Sequence, residues 1–133
     1  MESISTNCKL KKGDILTKTE KEYDINFRAD IKAFLEINSG GYPIKDIVVF
    51  DDEEYEVRVF LSLDDEDVNY YIEKPLKYFL DKTKGKIVPI GIDSGDNYYC
   101  VNNETGKVYY WSAGSDQYYC LAESLDDFIL AFS

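Results

Sequence analysis

Two groups of residues in this chain have types and spacing that could do chemistry. The first lies in 90–101, IGIDSGDNYYCV, where Asp93, Ser94, Gly95, Asp96 and Asn97 interrupt an apolar run. Carboxylates around a glycine can hold calcium, but an EF-hand loop needs D-x-[DN]-x-[DN]-G with a glutamate at its twelfth position. Glu104 falls at that position from Asp93, yet the glycine sits between the acids and strands replace the flanking helices. A phosphate cradle aims several glycine N–H groups from a helix N-terminus, usually with a lysine. This stretch opens a strand and carries two carboxylates. It reads as a hairpin turn over Ser94–Gly95–Asp96–Asn97.

The second group is Asp51, Asp52, Glu53 and Glu54, followed by Asp64, Asp65, Glu66 and Asp67. Carboxylates act as general acid and base where their surroundings push their pKa values apart. Adjacent acids in loops are instead solvated on all sides. The chain has no histidine, which removes Ser–His and Cys–His nucleophiles and the commonest zinc sites. Cys8, Cys100 and Cys120 have no C-x-x-C spacing. They are expected as reduced thiols, with the latter two half-buried in strands. No cofactor and no metal are expected.

The net charge is −11 over 133 residues. It is concentrated in 46–67, which holds ten acids and one base, Arg58. Such a chain is repelled by phosphate backbones and attracts basic partners. No apolar run approaches the ~18–20 residues that span a bilayer. The N-terminus has no apolar h-region, so a cytoplasmic protein is expected. The expected partners therefore include neither nucleic acid nor membrane, and the chain is expected as a monomer or weak dimer.

These residues must be placed by a small set of elements in one domain, 1–133. Residues 1–22 are polar and lysine- and threonine-rich, and read as a loose arm or a weak strand around Ile15 and Leu16. Asp24 or Asn26 can cap a helix through FRADIKAFLEIN, whose Phe27, Ile31, Phe34 and Leu35 share one face. Gly40, Gly41 and Pro43 end it. Ile47–Phe50 and the alternating 55–62 predict a hairpin with all four acids of 51–54 at its tip. Asp64 can cap a following helix with Asp65, Glu66 and Asp67 in its first turn, and Pro75 opens a second. KIVPIGI is a strand in which Pro89 demands an edge, a bulge or a position needing no donor.

A tyrosine-rich meander follows, with Gly106 as the φ > 0 residue of a turn. Ser124 then caps LDDFILAF, with Leu125, Phe128, Ile129 and Phe132 on one face. In strands, each doubled tyrosine sends one ring to each face. Tyr70, Tyr99 and Tyr109 are thus candidates for rings that meet a partner, since tyrosine offers large contact area with few rotatable bonds. The order predicts an α+β domain with a mixed or mostly antiparallel twisted sheet and helices packed around it.

Taken in order, FRADIKAFLEINSGGYP, IVPIGIDSGDNYYCV, TGKVYYW and SLDDFIL resemble the SUKH superfamily, the cell-wall-assembly-regulator-like group, over about 24–132. The matching positions are Gly40, Gly41, Pro89, Gly95, Asp96, Tyr98, Gly106, Val108, Tyr110 and Trp111. They concern framework. The front departs: Tyr23-Asp24-Ile25 stands where a Leu-Pro pair is usual, and the only tryptophan is Trp111. The resemblance implies no shared catalytic set and a non-enzymatic role. It implies an immunity protein that binds and neutralises a cognate polymorphic toxin, expected to be basic and of nuclease type. A regulatory adaptor without a toxin is the alternative, and a small metal-assisted hydrolase using Asp93 or Asp96 a third. For toxin binding, Asp51, Asp52, Glu53, Glu54, Asp64, Asp65, Glu66 and Asp67 would steer the partner, and Tyr70, Tyr99 and Tyr109 would anchor it.

Overall fold

The structure is a computed structural model that describes residues 4–5 and 14–132. Its N-terminal part corrects the expectation of a loose arm or weak strand. Helix α1 spans Asp14–Tyr23 and buries Ile15, Leu16 and Thr19. Two apolar residues make too short a stripe to announce a helix. Tertiary contacts complete it: Glu20 accepts the Phe27 N–H at 2.9 Å and pairs with Lys32 at 3.1 Å. Ahead of it, strand β1 (Ile4–Ser5) pairs with β2 (Tyr42–Pro43). The remainder of the expected arm lies outside the described residues.

Helix α2 (Ala29–Asn38) buries Ile31, Phe34 and Leu35 as its periodicity requires, and Phe27 is buried ahead of it. Neither Asp24 nor Asn26 caps it. Arg28 holds the cap position without a side-chain bond, and Asp30 accepts the Ile31 N–H instead. Strands β3 (Ile47–Phe50) and β4 (Glu53–Glu56) form the expected hairpin. Its turn is only Asp51 and Asp52, at φ 50° and 63°. Two successive positive φ values give the type I′ geometry that matches strand twist. The expected second strand is split. Glu53 and Glu54 belong to β4, whereas β5 (Val59–Phe60) crosses to the main sheet.

Helix α3 covers Glu73–Thr83, with Pro75 in its first turn. No helix holds 64–67, contrary to expectation. Asp64 accepts the Glu66 N–H at 3.0 Å and Asp67 the Tyr70 N–H at 3.2 Å, so these acids close turns. Short acidic side chains bond nearby backbone in this way at the expense of helix.

Strands β6 (Ile87–Ile92), β7 (Tyr98–Asn102), β8 (Val108–Ser112) and β9 (Gln117–Ala122) follow as the expected meander. With β5 they make one sheet, β5-β6-β7-β8-β9, antiparallel throughout. Pro89 sits at a register shift between β6 and β7, so its missing N–H is accommodated by a bulge. Helix α4 (Leu125–Leu130) starts at Ser124, whose hydroxyl accepts the Asp127 N–H at 3.1 Å.

The sheet is covered on both faces. Tyr99, Val101 and Val108 join Phe34, Phe60 and Phe128 in the larger core. Cys100 and Trp111 point the other way and pack with Phe79 of α3. Double coverage explains why all six residues of β6 are buried.

Candidate functional site

The acidic hairpin is clamped to the sheet through one residue. Glu56, at the end of β4, accepts the backbone N–H of Ser94 at 2.9 Å and its hydroxyl at 2.5 Å. The Tyr99 hydroxyl donates to the Glu56 carbonyl at 2.5 Å. Tyr55 packs edge-on against Tyr110 at 5.4 Å, and Phe50 stacks on Phe128 at 5.7 Å. The inward side chains of the ribbon thus reach the core, and its tip stands clear. Asp51, Asp52, Glu53 and Glu54 are all exposed.

The outward side of the same ribbon is apolar. Ile47 is 40% and Val49 56% exposed, opposite Glu56 and Glu54, and the neighbouring Ile44 is 69% exposed. These three apolar residues were not singled out in the sequence. A run of four apolar residues reads as a buried strand; only Val48 and Phe50 are buried. The available signal was the adjacent acids, which leave no room for a second covering layer.

Two clefts share Tyr70, and the first also borders the ribbon at Glu56. One, of about 520 Å³, is lined by Tyr42, Ile44, Glu56, Arg58 and Tyr70. The other, of about 540 Å³, includes the aromatic rings of Tyr78, Tyr98 and Trp111 in its lining. Arg58 donates from Nε to the Tyr70 hydroxyl at 2.9 Å, fixing the ring as a ridge between them. The carboxylates of 64–67 precede the second cleft in the chain, and Val68 and Asn69 form part of its wall. Tyr70 itself is half-buried, packed against the main core.

Tyr99 does not belong to such a surface. It is completely buried, and burial beside Tyr110 and Asp93 raises its hydroxyl pKa far above the usual value. Alternation gave it a face but could not show that both faces are covered. Tyr109 is half-buried, edge-on to Tyr118 at 6.3 Å. The cysteines also diverge from the expected pair of half-buried thiols: Cys100 is buried and Cys120 exposed.

The turn at 93–97 is built around Asp93. Its carboxylate accepts the N–H groups of Gly95 and Asn97 at 2.9 Å each and the Tyr110 hydroxyl at 2.6 Å. The positive φ falls on Asp96, at 64°, rather than on Gly95. A carboxylate so fully engaged organises the hairpin and is poorly placed to ligate an ion or move a proton. Asp64, Asp65 and Glu66 bring carboxylate oxygens within 4.8 Å of one another. All three lie in one tight turn, which brings them together without any ion. Among the described residues no helix is long and apolar enough to cross a membrane.

The fold and this surface define an α+β protein whose exposed features suit contact with another protein. Its family is established directly. Residues 12–131 match the SMI1 / KNR4 family (SUKH-1), and the chain belongs to that family. The match begins inside the segment ahead of α1 and so includes the helix that the resemblance, taken from residue 24, had left aside. No curated protein sequence matches the chain.

Proposed function

We propose that this chain is a non-enzymatic immunity protein that binds a cognate polymorphic toxin one-to-one, and that the β3–β4 ribbon is its primary contact. The observation that carries this reading is the union of two features on one anchored ribbon. Four exposed acids at and beside the turn attract a basic domain over distance. Ile44, Ile47 and Val49 beside them offer apolar area to bury on contact. A basic nuclease-type toxin domain fits both, because the acids would occupy the surface that otherwise holds phosphate. Family membership supports a protein partner.

The test is co-purification with the toxin domain encoded beside this gene, followed by charge reversal of Asp51, Asp52, Glu53 and Glu54. Association should slow and lose its dependence on salt. Unchanged association at every ionic strength would refute the assignment of the ribbon, and failure of any neighbouring toxin to bind would refute the immunity role.

A further inference from the structure

The two edges of the main sheet are finished differently. At β5 the edge is closed by backbone that follows α2. Phe60 donates its N–H to the Gly41 carbonyl at 2.7 Å, and Gly40 donates to the Leu61 carbonyl at 3.4 Å. At the other edge β9 pairs with β8 alone. Among the described residues no other backbone group bonds to β9. In an antiparallel ladder alternate residues turn both N–H and C=O away from the paired neighbour. The outer side of β9 therefore presents a row of unpaired donors and acceptors.

Proteins guard such an edge with lysine, proline, an inward charge or a very short strand. Strand β9 spans six residues, Gln117–Ala122, and carries no proline and no charge. A bulge leaves Leu121 without a partner on β8, but Gln117–Cys120 keep a regular register. Gln117, Tyr119 and Cys120 are exposed along this stretch. The edge also adjoins the acidic ribbon. Tyr99, Tyr110 and Tyr119 are direct cross-strand neighbours, so their rings form one row from the buried centre of the sheet to its rim. Tyr55 of β4 packs edge-on to Tyr110 at 5.4 Å, and its hydroxyl donates to Glu53 at 3.3 Å. The ribbon and its carboxylates thus stand on the sheet face next to β9.

A row of backbone groups at strand spacing is matched by another extended backbone. A second copy of this chain fits the backbone but not the charge. Each copy carries −11. The two-fold axis relating two paired β9 strands runs perpendicular to the sheet, so both acidic ribbons would stand on one face and repel. A strand from a basic partner satisfies the backbone and the charge together. We infer that β9 is a second contact for the toxin domain and takes an exposed, basic strand of it as a further strand of the sheet, beside the ribbon. The inference rests on the immunity reading. The ribbon steers the encounter, and backbone pairing at β9 holds the complex.

The test is amide hydrogen exchange on the full chain, free and with the toxin domain encoded beside this gene, together with proline substitution. Of the adjacent positions Tyr119 and Cys120, one directs its N–H outward. Proline there removes an outer donor and leaves the β8–β9 ladder paired. Outward amides within 117–120 should exchange about tenfold or more slowly in the complex. That proline variant should bind about tenfold or more weakly while its circular dichroism stays native. Should neither proline variant fold, exchange on the unaltered chain decides. Toxin binding that protects 47–54 but not 117–120 overturns this inference and leaves the immunity reading standing, as does full binding by both folded proline variants. Absence of toxin binding overturns both. Sedimentation of the free chain as a dimer with β9 protected also overturns the inference, because the edge then takes a second copy.

Discussion

Glu56 and Ser94 join the acidic ribbon to the loop that opens β7, with two hydrogen bonds of 2.9 and 2.5 Å converging on one carboxylate. A two-stranded ribbon alone is marginal in water. This clamp, with the Tyr99 hydroxyl on the Glu56 carbonyl, gives β4 a fixed base. Glu56→Ala should cost about 1 kcal/mol in denaturant unfolding, the usual worth of partly exposed hydrogen bonds. Amide exchange in β4 should accelerate while that in β7 and β8 stays slow. Uniform acceleration across the sheet would mean that the clamp holds the whole fold rather than the ribbon.

The ribbon's two features should separate kinetically. Charge reversal at 51–54 should reduce the association rate about tenfold to a hundredfold at low salt and much less at high salt. Ile47→Ser with Val49→Ser should leave association nearly unchanged and speed dissociation, since short-range apolar contacts act after encounter. Surface plasmon resonance over a salt series distinguishes them.

Gly106 is where the backbone tolerates no side chain. Its φ is 81°, and an added Cβ would lie 2.9 Å from the Arg28 guanidinium. That guanidinium donates to the Glu104 carbonyl at 3.0 Å, tying the turn after β7 to the start of α2. Gly106→Ala should destabilise by about 1–3 kcal/mol, from the left-handed backbone and the displaced arginine. An Arg28→Ala, Gly106→Ala double variant should recover the part due to the clash, measured by chemical denaturation.

Acid should loosen Trp111. Asp116 is bridged by Lys82 and by the Trp111 indole, and both bonds hold its carboxyl below its ordinary value of 3.8. A depressed value means that the carboxylate stabilises the fold at neutral pH and that this contribution is lost as pH falls below 3.8. The effect is small, because the site is exposed to solvent. Trp111 emission should shift with a midpoint below 3.8, and Asp116→Asn should abolish the transition.

Thiol reactivity should follow burial. In a Cys8→Ser background, Cys120 should react with a soluble disulfide reagent in the native state, because it is exposed. Cys100 should react only on unfolding, since burial pushes its thiol well above the ordinary value and blocks access. Two equally fast thiols would contradict the packing of α3 on the sheet.

Much of the framework was legible in the sequence because it rests on local rules. The 3.6-residue stripe of α2, the Ser124 cap, the bulge at Pro89 and the positive φ of Gly106 each follow from a few neighbouring residues. The acid-rich segment was equally readable, since charge needs no fold to be counted. What the tertiary structure decided depends on which faces are covered. Tyr99 and Tyr109 alternate in the same way, yet one is buried and the other half-buried. Ile47 and Val49 look like core but face outward on a ribbon that leaves the sheet. Helix α1 emerged from two apolar residues because the rest of the protein supplies its partners. Periodicity tells a side chain which way to point; only packing at long range settles whether anything stands there to meet it.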